Sequence, residues 1–176
     1  VTLISTTGYE YSKNGSTWQT SNVFSGLSPN TEYTFYQRVK ETNSSYVSAT
    51  SGGLTVTTLK NTVAKPSAPT VSQKTANSVT LNAKSGYEYS KNGTTWQTSN
   101  VFSGLSPNTS CTFYQRVAET NTAYASEKSS GLSVTTLKNT VSTPAAPVLQ
   151  SKTDTVVTLK ATSGYEYSMD GVTWQS

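Results

Sequence analysis

The chain has 176 residues, with 13 Lys and Arg against 9 Asp and Glu, no His, a single Cys and 33% hydrophobic residues. The missing histidine excludes Ser-His-Asp and Cys-His catalytic centres, the lone Cys111 excludes an intrachain disulfide, and no apolar run nears the roughly 18 residues of a membrane-spanning helix. Lys and Arg are scattered, so the net charge of +4 marks no surface able to track a nucleic-acid backbone.

Self-similarity organises everything else. GYEYSKNG begins at Gly8 and again at Gly86, and GYEYSMDG at Gly164, so the interval is 78 residues each time. Residues 1–78 and 79–156 are identical at 53 positions and align without a gap. That period is too long for a solenoid repeat or a propeller blade and suits a small independent domain. Ser, Thr, Val and Tyr dominate, and β-branched and aromatic residues fit a pleated, half-buried surface. The expectation is an all-β chain of small domains with thin, modestly stable cores.

In chain order, residues 1–59 read as a repeat lacking its first strand. Residues 60–69 (KNTVAKPSAP) form a polar linker ending in two prolines, which fix φ and disfavour helix before them. Residues 70–137 are a complete repeat, 138–147 (KNTVSTPAAP) a second linker, and 148–176 the N-terminal part of a third repeat. The phase suggests an excerpt from a longer array, whose end pieces would be completed by further sequence or by neighbouring chains.

The complete repeat predicts about seven short strands. Thr70–Lys74 is the first, an edge strand. Val79–Ala83 turns Val79 and Leu81 inward, and Tyr87–Ser90 puts Tyr87 and Tyr89 on one face and Glu88 on the other. Asn92-Gly93, matched by Asn14-Gly15 and Asp170-Gly171, predicts a two-residue type I′ hairpin with φ > 0 at both positions. The returning strand carries Trp96, with Trp18 and Trp174 at the same place in the other copies. Val101–Phe102, a corner at Gly104–Asn108, the long strand Thr112–Val117, a loop over Glu119–Gly131 and the strand Leu132–Leu137 complete the unit. Strand alternation places Gln37 and Gln115 on the face of Phe35 and Val39 and of their counterparts, where a buried amide needs partners.

LSPNTEYTFYQRV (Leu27–Val39) resembles the stretch around the tyrosine corner of fibronectin type III domains. SVTL (Ser78–Leu81) is similar to that family's second strand and GLSVTTL (Gly131–Leu137) to its last. The resemblance covers the whole 78-residue unit and implies tandem fibronectin-III/immunoglobulin-like β-sandwiches with Greek-key connections. More narrowly, the repeats look like those of exported or wall-attached proteins of Gram-positive bacteria. The family usually carries a Trp at the end of its second strand; Ser5, Ala83 and Ala161 stand there instead, and Trp18, Trp96 and Trp174 are expected to fill the gap from the opposite sheet. The resemblance makes Tyr33 the corner tyrosine, whose hydroxyl bonds back to the backbone. Cys111 replaces it in the second repeat, and with no His to activate it reads as a packing residue.

Chemistry-bearing patterns are sparse. Glu10, Glu88 and Glu166 are one repeated position and cannot pair across a cleft within a unit. No stretch offers clustered acidic oxygens for calcium, zinc-ligand spacing or a glycine-rich phosphate cradle. SMDGVTW (Ser168–Trp174) is one residue short of the Asp-box hairpin of sialidase-like propellers, a structural motif in any case. The expectations are therefore no catalytic residue, no cofactor and no metal. The chain reads as a non-catalytic spacer or stalk of an extracellular, secreted or cell-surface protein, such as an adhesin. Its expected partners are neighbouring repeats of the same chain, like chains in a filament, and a cell-wall or host glycan or protein; nucleic acid and membrane insertion are not expected. The alternatives are accessory domains of a secreted polysaccharide-degrading enzyme, or a carbohydrate- or protein-binding module. The latter would use the loop before the last strand, with Tyr46 and Tyr124 at its tip and outward-facing Tyr36 and Tyr114 beside it.

Overall fold

In the computed structural model, which describes residues 1–176, the alternating segments form eleven short strands and no helix. In chain order these are β1 (Tyr9–Ser12), β2 (Glu32–Val39), β3 (Leu54–Thr57), β4 (Val71–Lys74), β5 (Ser78–Leu81), β6 (Tyr87–Ser90), β7 (Val101–Ser103), β8 (Ser110–Val117), β9 (Leu132–Thr135), β10 (Leu149–Lys152) and β11 (Val157–Leu159). Residues Val1–Asn139 form one unit and Thr140–Ser176 another.

The second repeat is a sandwich of two three-stranded antiparallel sheets, one in the order β4-β5-β7 and one in the order β6-β8-β9. Period-two alternation builds its core: Val79 and Leu81 of β5 and Phe102 of β7 meet Tyr89 of β6, Phe113 of β8 and Val134 of β9. Val79, Leu81 and Phe113 are wholly buried, each worth roughly 1.5–3 kcal/mol in surface removed from water. Phe102 and Phe113 pack with ring centroids 4.9 Å apart across the two sheets. This is the all-β, two-sheet sandwich that the alternation and the resemblance together led one to expect. Six strands are regular, and the arm after the Asn-Gly turn contributes only the single bridge between Tyr89 and Gln97.

The first repeat builds the sheet β1-β2-β3 in the same register, Tyr9 opposite Val39 as Tyr87 is opposite Val117. Its other layer consists of the Thr2–Val23 bridge. Only Tyr11, Phe24 and Phe35 are fully enclosed there, with Val1, Leu3, Leu27 and Val56 half-covered against them. In the Thr140–Ser176 unit, β10 pairs β11, and Tyr167 bridges Gln175.

Pro66–Lys74 accounts for much of the difference between the first two repeats. Pro69 is buried and Ala68 half-buried, and the Ser67 carbonyl accepts the Gln115 Nε2–H at 2.9 Å. Gln115 is therefore wholly buried, whereas its counterpart Gln37 is exposed. The partner for the amide N–H is thus a linker carbonyl 48 residues away in the chain, while the amide Oε1 is buried with no hydrogen-bond partner.

The largest enclosed side chains are Tyr11 and Tyr89. Their rings sit in the core, and each hydroxyl reaches the strand connection five and seven residues upstream. Tyr89 Oη accepts the Lys84 N–H at 2.7 Å and lies 3.4 Å from the Asn82 carbonyl, to which it donates. Tyr11 makes the same pair with Thr6 and Ile4, and Tyr167 with Thr162 and Lys160. Tyr89→Phe keeps the ring and removes the acceptor, so it is expected to cost about 1 kcal/mol. A urea melt of the variant against the parent chain checks this.

Candidate functional site

The Asn-Gly turns differ from expectation. Gly15, Gly93 and Gly171 have φ of 71–73°, but Asn14, Asn92 and Asp170 are not in the left-handed region, so no type I′ turn forms. Side chains organise the loop instead. The buried Ser90 Oγ accepts the Asn92 and Gly93 N–H groups, while Asn92 Oδ1 accepts those of Thr94 and Thr95. Ser12 with Asn14 repeats the pattern, as does Ser168 with Asp170. Asp and Asn side chains that bond the backbone two residues on mimic a turn, and here they outcompete the two-residue hairpin. The Thr173 and Val172 N–H groups hold the Asp170 carboxyl well below the usual carboxylate range.

The tryptophans are also displaced from their expected place. None belongs to either enclosed core. Trp18 and Trp96 are half-buried on the outer face, and Trp174 is 57% exposed. The reason is a charge pair that the register sets directly opposite. Glu10 faces Arg38 and Glu88 faces Arg116, with N–O distances of 3.0 and 2.8 Å. Each guanidinium then lies over the indole, 4.2 Å from the Trp18 centroid and 4.4 Å from that of Trp96. Ala83 itself is exposed, so no gap opens there for Trp96 to fill.

Tyr33 takes the role that the resemblance implied, accepting the Ser28 N–H at 2.9 Å. That bond favours the phenolate, and the Tyr33 pKa is lowered. Cys111 occupies the same ladder position, opposite Val134 as Tyr33 is opposite Val56. It is half-buried against the core and has no hydroxyl to offer Ser106.

The four tyrosines considered as a binding platform are dispersed. Tyr36 and Tyr114 pack over the glycines that open the last strand. A Cβ on Gly53 would stand 3.2 Å from the Tyr36 ring, and one on Gly131 3.1 Å from that of Tyr114. The Lys128 ammonium lies 5.2 Å from the Tyr114 centroid. Tyr46 is 92% exposed and Tyr124 44%. Nor is the loop between them and the last strand free. Ser126 and Ser129 hydroxyls accept the Val117 and Gln115 N–H groups, and their own N–H groups donate to the carbonyls of the same two residues. Ser48 and Ser51 do the same for Val39 and Gln37.

The first half of that loop in the second repeat is already in use. Asn61 N–H donates to the Thr122 carbonyl and Tyr124 N–H to the Asn61 carbonyl, both at 2.9 Å, so linker and loop form one step of a parallel ladder at Ala123. Lys60 Nζ reaches Glu119 Oε1 at 2.5 Å and the Thr120 carbonyl at 3.1 Å. It also stands 6.0 Å from the Tyr124 ring centroid. Asn30 Nδ2 donates to Asn121 Oδ1 at 3.2 Å. The ammonium beside Glu119 lowers its carboxyl pKa. This clasp joins the end of one repeat to the side of the next. Sequence reading did not reveal it, because two of its bonds are backbone to backbone and carry no residue signature.

Comparison with known proteins gives fold-level likeness alone. No protein-family model matches the chain, and no curated protein does. Solved structures do match, among them the crystal structure of the chicken CNTN1 FN1-FN3 domains, at 18% identity and a TM-score of 0.36 over 74% of this chain. The chain spans about half of that structure, 53% of its length. The fold assignment stands on this chain's own strand pairings.

Two substitutions separate packing from decoration. Trp96→Ala removes a half-buried ring and its contact with Arg116. It should cost about 1–2 kcal/mol, against the roughly 3–5 kcal/mol of a fully buried aromatic; a denaturant melt distinguishes the two. Cys111→Tyr should restore the bond to Ser106 and raise stability by about 1 kcal/mol, seen as a higher melting temperature with the first repeat's transition unmoved.

Proposed function

We propose that the chain is a non-catalytic structural spacer from the stalk of an extracellular or cell-surface protein, of the kind that holds an adhesive domain away from a Gram-positive cell wall. The observation that carries this reading is the clasp at Lys60 and Asn61. A short Pro-containing linker is by itself a semi-rigid spacer, but it does not fix the contact between adjacent repeats. Two backbone bonds, an ion pair and an amide contact instead tie the linker to the following repeat. A spacer needs length and stiffness rather than a site, and near-identical copies supply both.

The binding-module alternative has less support. Tyr124 stands beside Lys60, and Tyr36 and Tyr114 are spent on covering glycines. The fold presents side-chain chemistry suited to holding loops in place. Most of its polar groups bond the backbone of their own repeat.

Backbone amide relaxation tests the spacer reading. In the intact chain the first two repeats should share one rotational correlation time, and Lys60→Ala combined with Asn61→Pro should let them tumble separately. Independent tumbling in the unaltered chain would overturn the reading.

A further inference from the structure

Strands β1 and β6 each run into an Asn-Gly pair, Asn14-Gly15 and Asn92-Gly93, and no other asparagine of the chain precedes a glycine. The third copy has Asp170-Gly171 at the same place. Glycine matters here because, with no Cβ, it leaves its nitrogen open to the side chain before it. That nitrogen can give up its proton and close on the asparagine Cγ to form a cyclic imide, expelling the amide nitrogen as ammonia. Water then opens the imide. Attack at Cγ yields aspartate, and attack at the main-chain carbonyl carbon yields isoaspartate, with the backbone rerouted through the side chain.

The folded loop bears on both steps. Closure requires the Gly93 N–H to be free and Asn92 Cγ to turn toward it. In the structure that N–H is spent on the buried Ser90 Oγ at 2.8 Å. Asn92 Oδ1 is pinned by the Ser90 hydroxyl at 2.9 Å and by the Thr94 and Thr95 N–H groups at 3.0 and 2.8 Å. The Asp170 loop shows how the product sits. Its Oδ1 accepts from the Ser168 hydroxyl and the Val172 and Thr173 N–H groups, the counterparts of the donors that hold Asn92. The Thr95 hydroxyl accepts the Asn92 Nδ2–H at 3.4 Å, whereas Thr173 turns its hydroxyl to donate to Asp170 Oδ2 at 3.1 Å. A threonine at that position serves amide and carboxylate alike. Charge favours the carboxylate, because an ionised acceptor makes the stronger hydrogen bond. Lys91 precedes Asn92, and Lys128 Nζ lies 2.9 Å from where a Gly93 Cβ would stand.

We propose that Asn14 and Asn92 are sites of spontaneous deamidation, at which the folded loop slows closure of the imide and takes back the aspartyl product as a native residue. The form reached is the one that the third copy already carries at Asp170. Isoaspartate does not fit the same loop. In it the oxygen that caps Thr94 and Thr95 becomes the main-chain carbonyl, and the lengthened backbone carries Gly93 away from Ser90. Each conversion adds one carboxylate, so both together take the net charge from +4 to +2.

Timed mass spectrometry of the chain at mildly alkaline pH, with peptide mapping that separates aspartate from isoaspartate, tests this. Asn92 should convert at least about tenfold more slowly in the folded chain than in urea, since closure waits on local opening. Ser90→Ala frees the Gly93 N–H and should speed Asn92 about three- to tenfold. Asn14, whose Ser12 is intact, should keep the parent rate in the same molecule. Val134→Ala thins the same core from β9 and should leave the Asn92 rate within about twofold of the parent. Asn92→Asp should hold or raise the melting temperature of the second repeat at neutral pH. Any one of three results defeats the proposal: equal rates in the folded chain and in urea, equal acceleration by Ser90→Ala and Val134→Ala, or a lower melting temperature for Asn92→Asp.

Discussion

Phe113 on β8 closes against Phe102 on β7, with ring centroids 4.9 Å apart, and nearly every other feature of the repeat answers to that inter-sheet contact. It brings together two sheets of only three short strands each, so few positions can face inward. Val79, Leu81, Tyr89 and Val134 complete the buried set, with Leu105 beneath the corner. A core this thin stabilises the strands but cannot reach the connections between them. Those must be held by something else, and in this chain that is the short polar side chain.

The resulting division of labour runs through every copy. Tyr89 and Tyr11 have buried rings and hydroxyls bonded to the backbone upstream. Ser90 and Asn92 tie the following loop through four backbone N–H groups. Thr136 Oγ1 donates to the Ser106 carbonyl and accepts the Thr109 N–H, fixing the corner to the last strand. Ser126 and Ser129 extend the ladder of β8 past the end of β9. Each such bond is worth about 1 kcal/mol net, but leaving the same N–H groups unpaired on burial would cost more. The high Ser, Thr and Asn content is thus a structural consequence of a small core rather than a sign of a polar active surface.

How much of this could be read from the sequence depends on the range of the interaction. Val79 and Leu81 declare themselves by alternation alone, and the 78-residue interval fixes the repeat. Tyr33 was legible through its resemblance to a known corner and bonds Ser28 accordingly. The Asn-Gly turn misled because backbone preference was weighed without Ser90 and Asn92 as acceptors, although the spacing Ser-x-Asn-Gly was in view. The tryptophans misled for a different reason. An indole reads as core until the cross-strand register shows that Arg116 stands opposite Glu88 on the outer face, where a flat ring can cover a guanidinium.

The clasp marks the limit of legibility and also explains a pattern in the sequence. Recognition through backbone N–H and C=O groups constrains conformation but leaves side chains free to vary, whereas recognition through the Lys60 and Glu119 side chains constrains identity. The Lys–Glu pair is kept at Lys138 and Glu41 in the other copy of each segment, while Thr122 and Ala123, which meet Asn61 through the backbone, have Ser44 and Ser45 as their counterparts. Inside one repeat the opposite holds for Gln115 and Gln37. The residue is kept, yet one is wholly buried and the other exposed, because its environment is supplied by the linker carbonyl of Ser67 rather than by its own strand. The linker is therefore part of the fold of the repeat it precedes.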